Sequence, residues 1–288
     1  MFTVPITELI TKRTSWRSYN GESLNEKHRK QINEFIESDL GTPFGSKPWF
    51  TILDRETNKK LGTYGFISGA KRFIVGTAQD TPMGIEDYAY ALEKIILYAT
   101  QIGLGTCWIG GIYDKKGFND AMGQAGKIPA LTPLGYPKDR RTAAKLIRWA
   151  AGSKNRKPWS ELFFNEDLTV LTKDEAREYA TALEMVRLAP SASNGQPWRI
   201  YLEGDKLHLH VEPRKGYGSI NRLDMGIAMS HLELTLAEQG IKGKWAIEQR
   251  ETPVKTPYVA TWIKAKEKRK STKNPQTRLV GWLPPYLV

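Results

Sequence analysis

The sequence has 288 residues, of which 40% are hydrophobic and 26% are charged, a composition typical of folded globular proteins. No apolar run reaches the roughly 18 residues of a membrane helix, and the N-terminal segment lacks the layout of a secretory signal. Its one cysteine, Cys107, excludes an intrachain disulfide, and four histidines offer no Cys/His zinc spacing. We therefore expect a cytoplasmic protein without a metal site and without a membrane partner.

The formal net charge of +12 requires that nucleic acid be considered as a partner. Part of the excess lies in the segment KAKEKRKSTKNPQTR (264–278). No helix-turn-helix spacing, zinc finger or aromatic RNA-binding signature accompanies it. The sequence therefore disfavours nucleic acid as the main partner, and residues 266–288 are expected to form a basic C-terminal tail.

Two parts of the chain repeat a helix-and-loop pattern. Residues 23–26 (SLNE) and 172–175 (TKDE) each predict a capping box at the start of a helix, and they lie 149 residues apart. A Pro-Trp pair follows each at the same separation, so LGTPFGSKPW (40–49) aligns with APSASNGQPW (189–198). The pattern indicates a duplication in which the Pro-Trp pair serves packing in both copies.

A second shared frame follows at a separation of 137 residues, so the first copy carries 12 extra residues. Each frame contains a mostly apolar helix without a clean polar face, at residues 87–103 and 224–240, which indicates burial. The frame consists of Asp87, Gly103 and Trp108 in the first copy and Asp224, Gly240 and Trp245 in the second.

Alternating apolar segments predict strands at 49–54, 72–77, 198–203, 206–212 and 256–265, with a hairpin at Gly204-Asp205. The mixed pattern predicts an α+β fold. We expect two tandem half-units, with central mixed or antiparallel sheets and buried central helices related by an internal pseudo-twofold axis. The predicted boundaries are 1–160 for the first half, 161–265 for the second and 266–288 for the tail.

Two basic segments are candidates for phosphate binding. Arg13 and Arg17 alternate with hydroxyl residues, a combination of guanidinium forks and small donors that suits a phosphate. Lys154 and Arg156 lie two residues apart at the junction of the copies and would share one side of an extended segment. The residues alone leave a solvated linker open as the alternative for both.

Two loops offer groups for ligand contact. GLGTCWIGG (103–111) has four glycines, so its backbone can approach a ligand closely, although it equally suits a helix C-cap and a turn. Its spacing and its place after a helix disfavour a dinucleotide fingerprint. In RLAPSASNGQPWRI (187–200), Asn194 and Gln196 offer amide donors and acceptors, with a helix-terminating loop as the alternative.

A nucleophile-and-base mechanism finds little support. No GxSxG motif occurs, and none of the four histidines follows a suggestive Ser or Cys motif. His208 and His210 share one face of a predicted strand, which favours a surface pair or a partly buried structural pair over a catalytic one. No catalytic side chain is predicted.

Taken together, these segments resemble the nitroreductase family of FMN-dependent oxidoreductases. RTSWRSY (13–19) is similar to the family's phosphate-binding motif, and APSASNGQPW to the loop that contacts the flavin ring from a partner subunit. GLGTCWIGG, PLGYP (133–137) and RKPWSEL (156–162) resemble later family segments.

The resemblance implies FMN as cofactor, NADH or NADPH as reductant, and ping-pong hydride transfer through flavin N5 to a nitro, quinone or similar small acceptor. A flavin-binding sensor or storage protein without turnover is the alternative. The implied cofactor-binding residues are Arg13, Thr14, Ser15, Arg17, Lys154 and Arg156 around the phosphate, Trp108, Ile109, Gly110 and Gly111 beside N5, and Pro190, Ser191, Ala192 and Asn194 along the ring.

The chain departs from the family's homodimer in one respect. The residues that align with 13–19 are 162–168 (LFFNEDL), which contain neither Arg nor Ser, while the intact ring-contacting loop occurs only in the second copy. This pattern predicts a single-chain fused pseudo-dimer that retains one composite flavin site. We therefore expect a monomer.

Overall fold

A computed structural model describes residues 1–57, 61–123, 126–138, 155–249 and 254–266. Helices are combined with two largely antiparallel sheets, which confirms the predicted α+β class. Their bounds in chain order are α1 Ile6–Lys12, α2 Glu26–Glu37, β1 Trp49–Asp54, β2 Arg72–Thr77, α3 Gly84–Gln101, α4 Lys115–Ala121, β3 Leu131–Leu134, β4 Phe163–Asn165, α5 Lys173–Ala176, α6 Ala180–Arg187, β5 Trp198–Glu203, β6 Lys206–Val211, α7 Gly218–Glu238, β7 Gly243–Ala246 and β8 Tyr258–Lys264.

The first half of the chain forms a three-stranded sheet in the order β1-β2-β3. Both pairs are antiparallel, with Trp49 opposite Thr77 and Arg72 opposite Leu134. Strands β1 and β2 occupy the residues that the alternation of apolar side chains predicts.

The second half forms a five-stranded sheet in the order β4-β5-β6-β8-β7. Strand β4 runs parallel to β5, and the other pairs are antiparallel. The predicted hairpin is confirmed, because Gly204 and Asp205 join β5 directly to β6 and Gly204 takes a φ of 56°. The three-residue strand β4 was not predicted from the sequence.

The two long helices α3 and α7 pack against each other and share one core cluster with both sheets. Most residues of each helix are buried, as their apolar composition predicts. The helices approach closely at Gly226, where an added Cβ would lie 2.2 Å from the carbonyl oxygen of Glu86 and 2.7 Å from Cβ of Ala89. A glycine is therefore required at this crossing.

The two predicted capping boxes have different outcomes. In the second half, the hydroxyl of Thr172 accepts a hydrogen bond from the amide of Glu175, and the carboxylate of Glu175 accepts one from the amide of Thr172. This capping box is therefore confirmed. In the first half the prediction is wrong, because Asn25 rather than Ser23 caps α2 and its side chain accepts from the amide of His28 at 2.8 Å. Asn and Ser serve equally well at this position.

The Pro-Trp pair also differs between the halves. The side chain of Trp198 is fully buried in the core, as predicted, whereas 54% of Trp49 is exposed. The predicted packing role is therefore wrong for Trp49, which stands at the start of β1 with its ring toward solvent. Lys154 and residues 267–288 of the predicted tail lie outside the described residues.

Candidate functional site

The segment 13–19 lies beside the glycine-rich segment that follows α3. Arg13 ends α1 with its amide donating to the carbonyl of Leu9, and Trp16 donates to the carbonyl of Thr106 at 2.8 Å. Ser15 and Thr106 form an isolated parallel bridge. Two of the predicted site segments are thus joined by backbone hydrogen bonds.

Arg13 and Arg17 each have a buried guanidinium nitrogen without a hydrogen-bond acceptor among the described residues. Within the described part of the chain, Nε of Arg13 and Nε of Arg17 have no hydrogen-bond partner. Both side chains act electrostatically on the thiol of Cys107. Burial raises the pKa of that thiol. The charge of Arg17, a side-chain hydrogen bond with Ser15, the charge of Arg13 and a side-chain hydrogen bond with Arg17 act to lower it.

Arg156 extends this group of positive charges. Burial, together with the charges of Arg13 and Arg187, lowers the pKa of the Arg156 guanidinium to about 10. Burial also lowers the pKa of Arg13, against the opposing effects of Glu93 and Cys107. Arg13, whose side chain is buried, and the half-buried Arg17 and Arg156 therefore form a cationic cluster. Of these three residues, Arg13 alone lies within 4 Å of a described carboxylate.

That carboxylate, Glu93, is fully buried on α3 and joins three elements. Its Oε2 accepts from Nε1 of Trp108 at 2.6 Å, and its Oε1 lies 2.9 Å from Nε2 of His231 on α7. Nε of Arg13 is 3.9 Å from the same Oε1. Sequence reasoning singled out Trp108 and Arg13 but missed Glu93 and His231, although a charged residue in an apolar helix signals a buried partner.

The end of the glycine-rich segment reaches the second half of the chain. Ile109 pairs with Leu131 through two backbone hydrogen bonds of 2.9 and 3.0 Å. A Cβ added at Gly110 would lie 3.7 Å from Ile220 and 3.9 Å from Leu223, both on α7, whereas one added at Gly111 would meet nothing within 4 Å. Gly110 thus lies against α7, with open space beside Gly111.

The polar loop 189–196 satisfies most of its own hydrogen-bonding capacity. Oγ of Ser191 accepts from the amide of Gln196, and Nε2 of Gln196 donates to the carbonyl of Asn194. Ser193, Asn194 and Gln196 all take a positive φ, between 45° and 54°. Three such non-glycine residues in one loop indicate local strain of the kind that clusters at functional sites.

The segment 155–157 holds this loop from the other side. Nη1 of Arg156 donates to the carbonyl of Ala189 at 2.8 Å and to Oδ1 of Asn194 at 2.9 Å. Nδ2 of Asn194 donates to the carbonyl of Asn155, and Oε1 of the buried Gln196 accepts from the amide of Lys157. Arg156 therefore links the cationic cluster to the loop, a role that its sequence position did not reveal.

Asp224 on α7 holds the same loop at Ala192. Oδ1 of Asp224 accepts from the amide of Ala192 at 2.9 Å, and Arg214 lies 3.5 Å from Oδ2. Burial raises the pKa of Asp224 to about 7, although the amide of Ala192 and the charge of Arg214 oppose the shift. Gly110 and Ala192 thus reach the same stretch of α7.

The remaining candidates are placed as follows. Pro190 is buried, and the hydroxyl of Thr14 donates to the carbonyl of Lys12 at 3.4 Å. His208 and His210 are fully buried on β6, rather than at the surface or partly buried as predicted, and they bond to Thr261, Glu203 and the carbonyl of Thr256. The structure brings Arg13, Ser15 and Arg17 around Cys107, with Arg156 near Arg13, and it places Gly110 and Ala192 against the same stretch of α7.

Comparison with known proteins identifies the family. Residues 5–236 match the family model described as "Putative TM nitroreductase". The chain belongs to the nitroreductase family. Within the described ranges, no helix combines the length and apolarity needed to cross a membrane.

Relatives of this nitroreductase-family chain match it over different lengths. A protein of Archaeoglobus fulgidus named "Putative NADH dehydrogenase/NAD(P)H nitroreductase" is 27% identical over a 154-residue alignment, which covers 46% of this chain and 86% of that protein. The crystal structure of a putative nitroreductase from Thermotoga maritima superposes with a TM-score of 0.64 at 22% identity, covering 91% of this chain and 95% of that one. The second likeness shows that the chain has a nitroreductase fold.

A third similar structure is a putative nitroreductase from Desulfovibrio desulfuricans, described as a complex with FMN. It is 20% identical and covers 50% of this chain and 96% of that chain, with a TM-score of 0.36.

Proposed function

We propose that this protein is an FMN-dependent NAD(P)H oxidoreductase of nitroreductase type with a small-molecule electron acceptor. The observation that carries the proposal is the pair of buried Nε–H groups on Arg13 and Arg17 without an acceptor among the described residues. A buried donor without a partner is costly, and a phosphate oxygen would satisfy both groups with charge-assisted hydrogen bonds. Arg13 and Arg17 of the cationic cluster therefore suit the phosphate of FMN.

The residues around the cluster supply the rest of the site. Arg13, Ser15 and Arg17 would hold the phosphate, and the backbone at Gly110 and Gly111 would border the ring beside the open space next to Gly111. The loop Pro190, Ser191, Ala192 and Asn194 would line the ring from the second half. When bound, FMN would accept a hydride from NADH or NADPH at N5 and pass two electrons to the acceptor.

The chain's own residues would act by position and electrostatics. The buried guanidinium groups attract the phosphate and fix the cofactor's orientation, while Trp108, held by Glu93, closes the wall behind the glycines. No side chain need serve as acid or base, since the chemistry belongs to the cofactor.

We further propose that the chain is a fused pseudo-dimer with one composite site and acts as a monomer. The contacts of two aligned aspartates support this: Asp87 accepts from the amides of Phe44 and Ser46, as Asp224 accepts from that of Ala192. In the second half, β4 replaces the phosphate-binding segment with a strand. The Archaeoglobus protein also matches 46% of this chain with 86% of its own length.

A flavin-binding protein without turnover is the alternative, because loss of one of two sites also suits a sensor or storage protein. Anaerobic titration of the flavin-loaded protein with NADH and NADPH, followed by a nitroaromatic or a quinone, separates the two. Bleaching of flavin absorbance and its return with the acceptor, repeated over many turnovers, supports the oxidoreductase. Binding without bleaching supports the alternative.

The site assignment has its own test. Combined Arg13→Ala and Arg17→Ala substitutions should abolish FMN retention during purification, as measured by flavin absorbance and chromatography of the released cofactor. The matched control is Arg29→Ala with Lys30→Ala, which removes the same charge from the exposed surface of α2. Unchanged FMN content in the first variant would show that the cluster is not the phosphate site. Size-exclusion chromatography tests the monomer.

A further inference from the structure

The two halves differ most in the connection between their first two strands. Gly204 and Asp205 alone join β5 to β6, whereas residues 55–71 join β1 to β2. Part of this long connection, residues 61–71, lies against segment 13–19 and packs into the core cluster that contains Tyr19 and Cys107. The half that carries the phosphate-binding motif is thus the half that carries the extra segment.

The backbone of the connection runs beside the motif. Ser68 donates its amide to the carbonyl of Arg17 at 2.9 Å, and its own carbonyl accepts from the amide of Tyr19 at 2.9 Å. Gly69 follows with a φ of +73°, and a Cβ there would lie 2.2 Å from the carbonyl oxygen of Tyr19. Only glycine permits so close an approach, so the connection is built to fit this segment.

A strained turn in the connection presents an aromatic ring. The amide of Phe66 donates to the carbonyl of Thr63 at 2.8 Å across Tyr64 and Gly65, whose φ values are 45° and 79°. Two consecutive positive φ values define a turn of type I′, which disfavours a side chain as large as that of Tyr64. The amide of Ile67 also donates to the hydroxyl of Thr63, which fixes the residue after the ring.

The ring presented by this turn lies under Arg17. The guanidinium carbon of Arg17 is 4.8 Å from the ring centroid of Phe66, within the range of a cation–π interaction. The face of the ring can hold the planar group without using its N–H donors, and Nε of Arg17 has no partner among the described residues. Phe66 therefore restrains the guanidinium while leaving this donor available.

We propose that Phe66 is a positioning residue that holds Arg17 in place to bind the cofactor phosphate, and that residues 61–71 form the platform for it. This inference rests on the proposed function, since it takes Arg17 to contact the phosphate of FMN. The platform accounts for the presence of the long connection in one half alone.

The test compares the binding of FMN with that of riboflavin, which carries the same ring but no phosphate. Fluorescence titration of the apoprotein with each flavin gives both Kd values for every variant. Phe66→Leu should raise the Kd for FMN about fivefold, which is the change expected from the loss of one cation–π contact, and it should leave the Kd for riboflavin unchanged. Phe66→Tyr, which keeps the ring, should restore FMN binding.

The controls distinguish a failure of the positioning role from a failure of the proposed function. Phe164→Leu removes a partly buried ring stacked on Tyr201 at 5.3 Å in the second sheet, and should change neither Kd. A parent protein that binds neither flavin would contradict the proposed function itself. If the parent prefers FMN and Arg17→Ala abolishes the preference while Phe66→Leu keeps it, only the positioning role is wrong. Equal weakening of both flavins by Phe66→Leu also overturns it.

Discussion

Nε2 of His231 lies 2.9 Å from Oε1 of Glu93, and both side chains are fully buried between α3 and α7. Nδ1 of His231 lies 2.9 Å from the carbonyl oxygen of Met185, which can only accept, so Nδ1 donates. The contact between Nε2 and the carboxylate joins α7 to α3 inside the core.

Glu93→Ala should destabilise the protein by about 3 to 5 kcal/mol, because it leaves the donors of Trp108 and His231 buried without an acceptor. Glu93→Gln should cost less, since its amide oxygen can accept from Trp108 while its NH2 donates to a neutral His231. Urea unfolding of the two variants measures the difference. Equal losses would show that the charge, rather than the hydrogen bonds, stabilises the helix pair.

Asp224→Asn should flatten the pH dependence of stability between about pH 4 and pH 7. The pKa of Asp224 rises to about 7 in the folded state, against about 3.9 in an unfolded chain. The folded state thus binds the additional proton across this window, and its stability falls as pH rises through it, by up to about 4 kcal/mol. An asparagine can still accept from Ala192 but does not ionise.

Urea unfolding at several pH values checks this prediction, with Asp87→Asn as the matched control. Asp87 accepts from the amides of Phe44 and Ser46 and from the hydroxyl of Ser46 at 2.6 Å. An amide cannot accept all three bonds as well as a carboxylate, so the control should lose about 1 to 3 kcal/mol. A pH slope that survives in Asp224→Asn would assign the titration to another group.

Arg156→Lys should weaken the binding of FMN and riboflavin alike. Nη1 of Arg156 donates both to the carbonyl of Ala189 and to Oδ1 of Asn194, and the ammonium of a lysine does not reproduce the planar geometry of this group, so the substitution loosens the loop that would line the ring. Arg17→Ala, by comparison, should weaken FMN alone. Titration with both flavins distinguishes the two effects, and a loss confined to FMN in Arg156→Lys would place Arg156 on the phosphate instead.

Gly226→Ala should destabilise the protein by about 1 to 3 kcal/mol, because the new methyl group would press α7 away from Glu86 and Ala89 on α3. Gly111→Ala is the matched control, since its Cβ meets nothing within 4 Å and should leave the melting temperature unchanged. Equal melting temperatures for both variants and the parent would mean that the helices adjust at no cost.

The sequence predicted those elements whose signals are local. Strands β1, β2 and β5 and the Gly204-Asp205 hairpin follow from side-chain alternation bounded by turn residues. Strand β4 escaped prediction because its three residues are too few for a pattern and it is stabilised by pairing with β5, distant in sequence.

The residues of the candidate site also divide into those with a local signal in the sequence and those without one. Arg13 and Arg17 could be found because their motif is contiguous, whereas Glu93 and His231 meet only once α3 and α7 pack. Asn194 and Gln196 were noticed as polar, but their bonds to Asn155 and Lys157 depend on how distant segments meet. Phe66 gave no signal at all, since a lone aromatic residue in a connection predicts nothing.

The packing of α3 against α7 at Gly226 has a consequence for how this protein unfolds. Both helices belong to one chain, so their association is a unimolecular event that dilution does not oppose. In the proposed monomer, the melting temperature should stay constant over a hundredfold range of protein concentration, and a substitution in either helix changes one side of the contact only. The sequence of α3 can therefore change while that of α7 stays the same, and the reverse also holds.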